Sequence, residues 1–205
     1  MTRQINVGGV LLGGGAPVRI QSMTTTHTAD AEATLMQIGR LAEAGCEIVR
    51  VAVRDEEDAR ALRAVKERSP LPVVADIHFS ARLAVLAVEN GADKIRINPG
   101  NIGGEEKVKL VADCVRAHGI PVRVGANTGS IEREYFEKYG RSARALVESA
   151  LAGVRLLEKY GVRDIAVSVK ASSMPLTVEA YELLASRTDY PLHVGVTEAG
   201  TRESG

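Results

Sequence analysis

Val18-Arg19-Ile20, Val49-Arg50-Val51, Ile95-Arg96-Ile97 and Val122-Arg123-Val124 repeat one pattern, an arginine held between two branched aliphatic residues. Successive side chains of a β-strand point to opposite faces, so each arginine faces away from its two apolar neighbours. If helices cover the apolar face, the arginines share the other one. In a closed barrel that face is the interior, and guanidinium groups converging there form an anion site. A single strand arginine is as well explained by an exposed edge or a salt bridge, but four in the same local pattern favour convergence.

Outward from these tripeptides, short β-branched runs alternate with stretches rich in Ala, Leu, Glu and Arg, the pattern of a parallel α/β fold. The pattern predicts strands over 17–23, 47–53, 72–78, 93–98, 121–126, 164–170 and 191–197. Helices are predicted over 29–44, 55–68, 80–90, 103–118, 141–160 and 175–187. Gly45, Gly91, Gly119 and Gly161 stand where helices need a left-handed C-terminal cap. Pro70, Pro72, Pro121 and Pro191 each block a helix and open an extended segment. Regular βα units with arginine on one strand face point to a TIM-like (β/α)8 barrel. A doubly wound sheet would bury both strand faces in apolar residues.

Such barrels run to about 250 residues and eight units. The 205 residues end just after the seventh predicted strand, which leaves two strand edges unpaired. The expectation is therefore one domain over 1–205, a barrel truncated after strand seven that is either a fragment or takes its eighth unit from elsewhere. The glycine-rich stretch from Val7 to Val18 reads as a small hairpin before the barrel. It is no dinucleotide loop, because no helix follows it.

Lys plus Arg and Asp plus Glu number 26 each, so no global field argues for nucleic acid or membrane as a partner. Cys46 and Cys114 form neither a disulfide framework nor a metal-ligand spacing. With no apolar run of membrane-spanning length and no signal-peptide core, the expected compartment is the cytoplasm.

Alternation carried along each strand adds Gln21, Asp76, His78, Asn98, Gly125, Ser168, Lys170 and His193 to the inward face. Catalytic groups of these barrels sit at the C-terminal strand ends. Lys170, at such an end, could form a Schiff base or serve as a point charge for phosphate, and the neighbouring arginines favour phosphate. Glu198 ends the last predicted strand and faces a cationic pocket, with an ordinary salt bridge as its plainer role. His78 reads as a satisfied buried histidine before a metal ligand. The run from Glu132 to Lys138 reads as a solvated helical loop whose Tyr135 and Phe136 could cover the barrel mouth.

Six long stretches carry a family resemblance: 17–24 (PVRIQSMT), 75–79 (ADIHF), 95–103 (IRINPGNIG), 124–130 (VGANTGS), 167–172 (VSVKAS) and 191–200 (PLHVGVTEAG). In this order they closely resemble the 4-hydroxy-3-methylbut-2-enyl diphosphate synthases of the non-mevalonate isoprenoid pathway. The resemblance implies a barrel that binds 2-C-methyl-D-erythritol 2,4-cyclodiphosphate and a separate C-terminal domain with a [4Fe-4S] cluster on three cysteines and a glutamate. It implies ferredoxin or flavodoxin as electron donor and a homodimer in which one subunit's cluster domain closes over the other's barrel. By the family pattern Arg50, Arg96, Arg123 and Lys170 hold the diphosphate, Asp76, Asn98, Asn127 and Ser168 surround the sugar-derived part, and Glu198 is the catalytic acid.

Ser173 stands where that pattern has aspartate, and neither the cluster domain nor an eighth strand is present in these residues. The chain by itself is expected to bind no cluster and to hold substrate without turning it over. Two rival readings remain at this level: a pterin-binding barrel of the dihydropteroate synthase type, and a non-catalytic diphosphate-binding fragment.

Overall fold

The computed structural model describes residues 1–171 and 173–195. The chain opens with an antiparallel hairpin, β1 (Gln4–Val7) and β2 (Val10–Gly13), turning on Gly8 and Gly9, both at positive φ. Six parallel strands follow in chain order: β3 (Gln21–Met23), β4 (Ile48–Val53), β5 (Val73–Ile77), β6 (Lys94–Ile97), β7 (Val122–Asn127) and β8 (Ile165–Lys170). They are joined by α1 (Ala31–Glu43), α2 (Glu56–Arg68), α3 (Ala81–Glu89), α4 (Glu105–His118), α5 (Arg133–Tyr139) and α6 (Ala143–Lys159), with α7 (Met174–Arg187) after β8.

The predicted helices are all present, with ends within two residues of expectation, because their caps are written locally. Asp30, Asp55, Ser80 and Ser142 accept backbone amides at four N-termini. Gly45, Gly91, Gly119 and Gly161 sit at positive φ just past four C-termini.

Val49, Val51, Val53, Ala75, Ile77, Ile95, Ile97, Val122, Val124, Val167 and Val169 point to the helices and are buried there against Ile38, Leu62, Val108, Leu146 and Leu184. The opposite face curls. Lys94 Nζ on β6 donates to Gln21 Oε1 on β3 at 3.4 Å, although three strand spacings of a flat sheet would hold those positions about 14 Å apart. Beneath this concave face the hairpin forms a second small core, in which Val7 packs with the inward-facing Ile48 and Val74, backed by Val10 and Leu12. The hairpin thus makes an apolar floor.

Two sequence expectations change. The first strand, predicted over 17–23, contains only Gln21–Met23, while Val18 and Ile20 are largely exposed. The Glu47 carboxylate accepts from the Ile20 amide at 2.9 Å and from Arg19 Nη1 at 2.7 Å, so Arg19 is held outside the barrel by a side chain. The seventh strand, predicted over 191–197, is reduced to one bridge between Leu192 and Val167 in the described residues, and 196–197 lie outside them.

Asp58, fully buried at the head of α2, ties the loop after β3 to the turn after β4. Its Oδ1 accepts from the Ala29 amide at 2.8 Å, and its Oδ2 accepts from Arg54 N at 3.1 Å and Arg54 Nε at 3.0 Å. Burial alone would raise this carboxyl, but the bonds from Arg54 and Ala29 outweigh it and hold it below the usual range. A depressed carboxyl contributes stability above its unfolded value and loses it as pH falls. Asp58→Ala is therefore expected to cost about 3 kcal/mol at neutral pH. In urea titrations across pH the gap to the parent protein should narrow below about pH 4.

Candidate anion-binding site in the barrel interior

The inward side chains form layers set by strand register. Lys94, 1% exposed, is paired in register with Val74, which packs with Val7 and Ile48. Arg50 is in register with the other side of Val74, and one step toward the strand C-termini Asp76, Arg96 and Arg123 stand level with one another. Higher still, Gly125 faces Ser168, and Asn127 faces Lys170 at the ends of β7 and β8. Asn98 follows β6 and His78 follows β5.

Asp76 is the only acidic residue in any described strand. Its Oδ1 accepts from Arg96 Nη1 at 3.1 Å, and its Oδ2 lies 3.5 Å from Arg50 Nε and 3.7 Å from His78 Nε2. One carboxylate therefore sets two guanidinium planes. Arg50 is bracketed further by Met23, whose sulfur is 3.0 Å from Nη2. Arg96 fits because the position above has no side chain: a Cβ on Gly125 would stand 2.9 Å from Arg96 Nε.

Arg123 has no carboxylate within ion-pair range among the described residues. It is 1% exposed, and its Nε and Nη1 have no hydrogen-bond partner, nor has Arg96 Nε. Burial, with Arg50 and Arg96 adding, pushes Arg123 down to about 9. Burial likewise lowers Arg50 and, at the half-buried mouth, brings Lys170 to about 8. His193 is pushed by burial and the surrounding cations to about 2 and so stays neutral. A cavity that depresses Arg50, Arg123 and Lys170 together is short of negative charge, and a bound anion would supply it.

Among the expected site residues, the structure sets Asp76, Arg96 and Arg123 in one layer, brings Arg50 to Asp76 from one step below, and places Ser168 and Lys170 above. Ser168 is 1% exposed, and its Oγ is 3.4 Å from Val124 O. Asn98 is buried and caps the turn Pro99–Asn101 by accepting from Gly100 N at 3.1 Å. That turn is held down by Gly153 of α6, where a Cβ would come 3.1 Å from Pro99 Cγ. Asn127 is half-buried at the end of β7. Glu198 lies outside the described residues.

His78, expected to be a buried histidine, is half-exposed at the mouth, since the chain leaves the sheet at Ile77. The helical loop expected over 132–138 forms α5, and Phe136 on it and Phe79 after β5, the only two phenylalanines of the chain, are both exposed at the C-terminal strand ends. Sequence reading missed Lys94. The signal was present, because Lys94 shares its parity with Arg96 in Lys94-Ile95-Arg96-Ile97.

Asp76→Asn leaves Arg50 and Arg96 buried without a counter-charge, an expected cost of about 3 kcal/mol in buffer free of multivalent anions. Added diphosphate should restore most of the lost thermal stability. An equal loss with and without diphosphate would show that Asp76 does not balance an anion site.

The chain matches the family model described as the GcpE TIM-barrel domain over residues 2–205. It is 55% identical over 206 residues to a protein of Caldanaerobacter subterraneus subsp. tengcongensis named 4-hydroxy-3-methylbut-2-en-1-yl diphosphate synthase (flavodoxin), covering 100% of this chain and 58% of that protein. A protein of the same name from Geobacter sulfurreducens is 56% identical over 205 residues, again with 100% of this chain and 58% of the relative covered. The chain thus spans 58% of the length of these curated relatives.

Solved structures resemble it at lower identity. N-acetylneuraminic acid synthetase from Leptospira borgpetersenii superposes with a TM-score of 0.72 at 17% identity, covering 100% of this chain and 73% of that one. Dihydropteroate synthase from Yersinia pestis gives 0.63 at 13%, covering 92% and 74%. At such identities these likenesses speak for the fold alone. Together with the six-stranded parallel sheet and its helical cover, the match over residues 2–205 places this chain in the GcpE TIM-barrel domain family.

Proposed function

We propose that this chain is the substrate-binding barrel of a 4-hydroxy-3-methylbut-2-enyl diphosphate synthase and holds 2-C-methyl-D-erythritol 2,4-cyclodiphosphate on its arginine layer. The observation that carries this reading is the imbalance of charge inside the barrel: Arg50, Arg96, Arg123 and Lys170 share it with the single strand carboxylate Asp76. Identity of 55% over the whole chain to synthases of that name supports the choice of anion.

A cyclic diphosphate carries two negative charges that do not titrate near neutrality. Guanidinium groups in a partly dry cavity meet them with charge-assisted, bidentate bonds. Arg123, with two unpartnered nitrogens, and Arg96, with one, are the natural donors, and Lys170 adds a point charge at the rim. Asp76 keeps the layer oriented. Asn98, Asn127 and Ser168 lie nearer the mouth, where the hydroxylated carbon skeleton would rest. Glu198 is assigned the proton that leaves with water when the ring opens, by resemblance to the family pattern.

The described residues do not fit an iron–sulfur cluster. Cys46 is buried beside β4 with its Sγ 3.1 Å from Ile48 O, and Cys114 sits on α4 near His118. No three thiolates meet. The family's [4Fe-4S] cluster supplies two electrons and would be held by a C-terminal domain of the complete protein, for which the relatives' greater length leaves room. The relatives' names favour flavodoxin over ferredoxin as donor, and the family's homodimer would bring a partner's cluster domain to the barrel mouth.

No helix of the described residues is long and apolar enough to cross a membrane.

Calorimetric titration of the complete protein tests the assignment. Cyclodiphosphate should bind in preference to a pterin diphosphate, and the reverse order would favour the dihydropteroate-type barrel. Arg123→Ala should weaken cyclodiphosphate binding at least about 30-fold. Glu198→Gln should leave its dissociation constant within a few-fold and lower turnover by about 10²–10⁴. Equal losses of binding and turnover in both variants would contradict the separate roles.

A further inference from the structure

Lys94 is a buried base that the substrate-binding layer does not use. It stands on β6 two residues before Arg96, one layer deeper, in register with Val74, which belongs to a small apolar cluster with Val7 and Ile48. It is 1% exposed, and its only hydrogen-bond partner among the described residues is Gln21 Oε1 of β3, at 3.4 Å.

The charged and titratable groups facing it are Arg50 from β4, Asp76 from β5, Arg96 from its own strand, Arg123 from β7, Lys170 from β8 and His193 beyond it. Asp76, the one carboxylate of that set, is already committed to Arg96 at 3.1 Å and lies 3.5 Å from Arg50. No carboxylate of the described residues comes within 4.0 Å of Lys94 Nζ, so an ammonium there has the like charges of Arg123 and Arg50 near it and the apolar Val74 beside it.

We propose that Lys94 is the proton-uptake residue of the anion site, neutral in the empty barrel and protonated when a doubly charged oxyanion settles on the arginines above it. The step moves one proton from hydronium or a buffer acid to the Nζ lone pair: an N–H bond forms as the donor's bond to that hydrogen breaks, the donor's conjugate base stays in solvent, and no other bond changes. It rests on the reading of the interior as an anion site and adds the reason for a lysine where packing alone would favour an apolar residue. Burial, with Arg123 and Arg50 adding, brings Lys94 down to about 7 in the empty site. The anion's field would raise it, so its affinity for anions falls as pH rises through that value, by at most about tenfold per pH unit for each proton taken up. Lys170, near 8 at the rim, contributes a second and separable share.

The test is calorimetry of the complete protein in buffers of different ionisation enthalpy at pH 8, with two probes that do not titrate there: sulfate and the cyclodiphosphate. The parent protein should take up more than about one proton per anion bound, and at pH 6 the uptake should nearly vanish. Lys94→Met should lose about one proton of uptake at pH 8. Lys94→Arg, which stays charged, should lose the same proton while retaining binding, and it carries the test if the methionine variant does not fold. Unchanged uptake in both variants would overturn the proposal. Uptake with sulfate but no binding of cyclodiphosphate would sustain it while overturning the substrate assignment. Failure of both anions to bind would overturn both.

Discussion

Asp76 between Arg50 and Arg96 is the contact on which the rest of the interior depends. Without a counter-charge, the two cations would repel across the one strand, β5, that separates them in a medium much less polar than water. One carboxylate, in contact with both guanidinium groups, lets the layer exist before any ligand arrives. It does not neutralise the layer. Arg123 keeps two buried nitrogens without partners, and Lys94 lies below with a single amide oxygen for company. The interior is therefore a stable fold carrying an unbalanced charge, which is how a binding site differs from a salt-bridge network made for stability.

The surrounding fold supplies what this arrangement costs. Thirteen-residue α1 and α2, and longer α4, α6 and α7, cover the outer sheet face with Val, Ile, Leu and Ala, so nearly all the apolar burial lies outside the barrel wall. The hairpin seals the inner face from below, and glycine at 125 and 153 lets Arg96 and Pro99 approach closely where a larger residue would stand. Function is placed at the open end. The loops there carry Asn98, Asn127, Lys170 and the exposed Phe79 and Phe136, as expected of a fold that grafts its chemistry onto strand ends.

Much of this was legible in the chain because the information is local. Helix ends are written in capping residues such as Ser80 and Gly119, and strand faces in the alternation of Val-Arg-Val. Arg19 shows where local reading fails. It carries the same tripeptide as Arg50, Arg96 and Arg123, yet Glu47 holds it outside, and that partner is 28 residues away. Lys94 shows the converse. Its parity was readable, but its isolation was not, because isolation is a statement about what faces it from five other elements.

The sequence by itself determined which residues form strands and helices, which strand side chains share a face, and that this face is cationic, since these follow from a two-residue period and from capping chemistry. Only the tertiary structure decided which cation meets the carboxylate, which stays unpaired among the described residues, and that Lys94 is buried away from any of their carboxylates. Those outcomes depend on sheet curvature and strand register, which bring together groups from strands far apart in the chain.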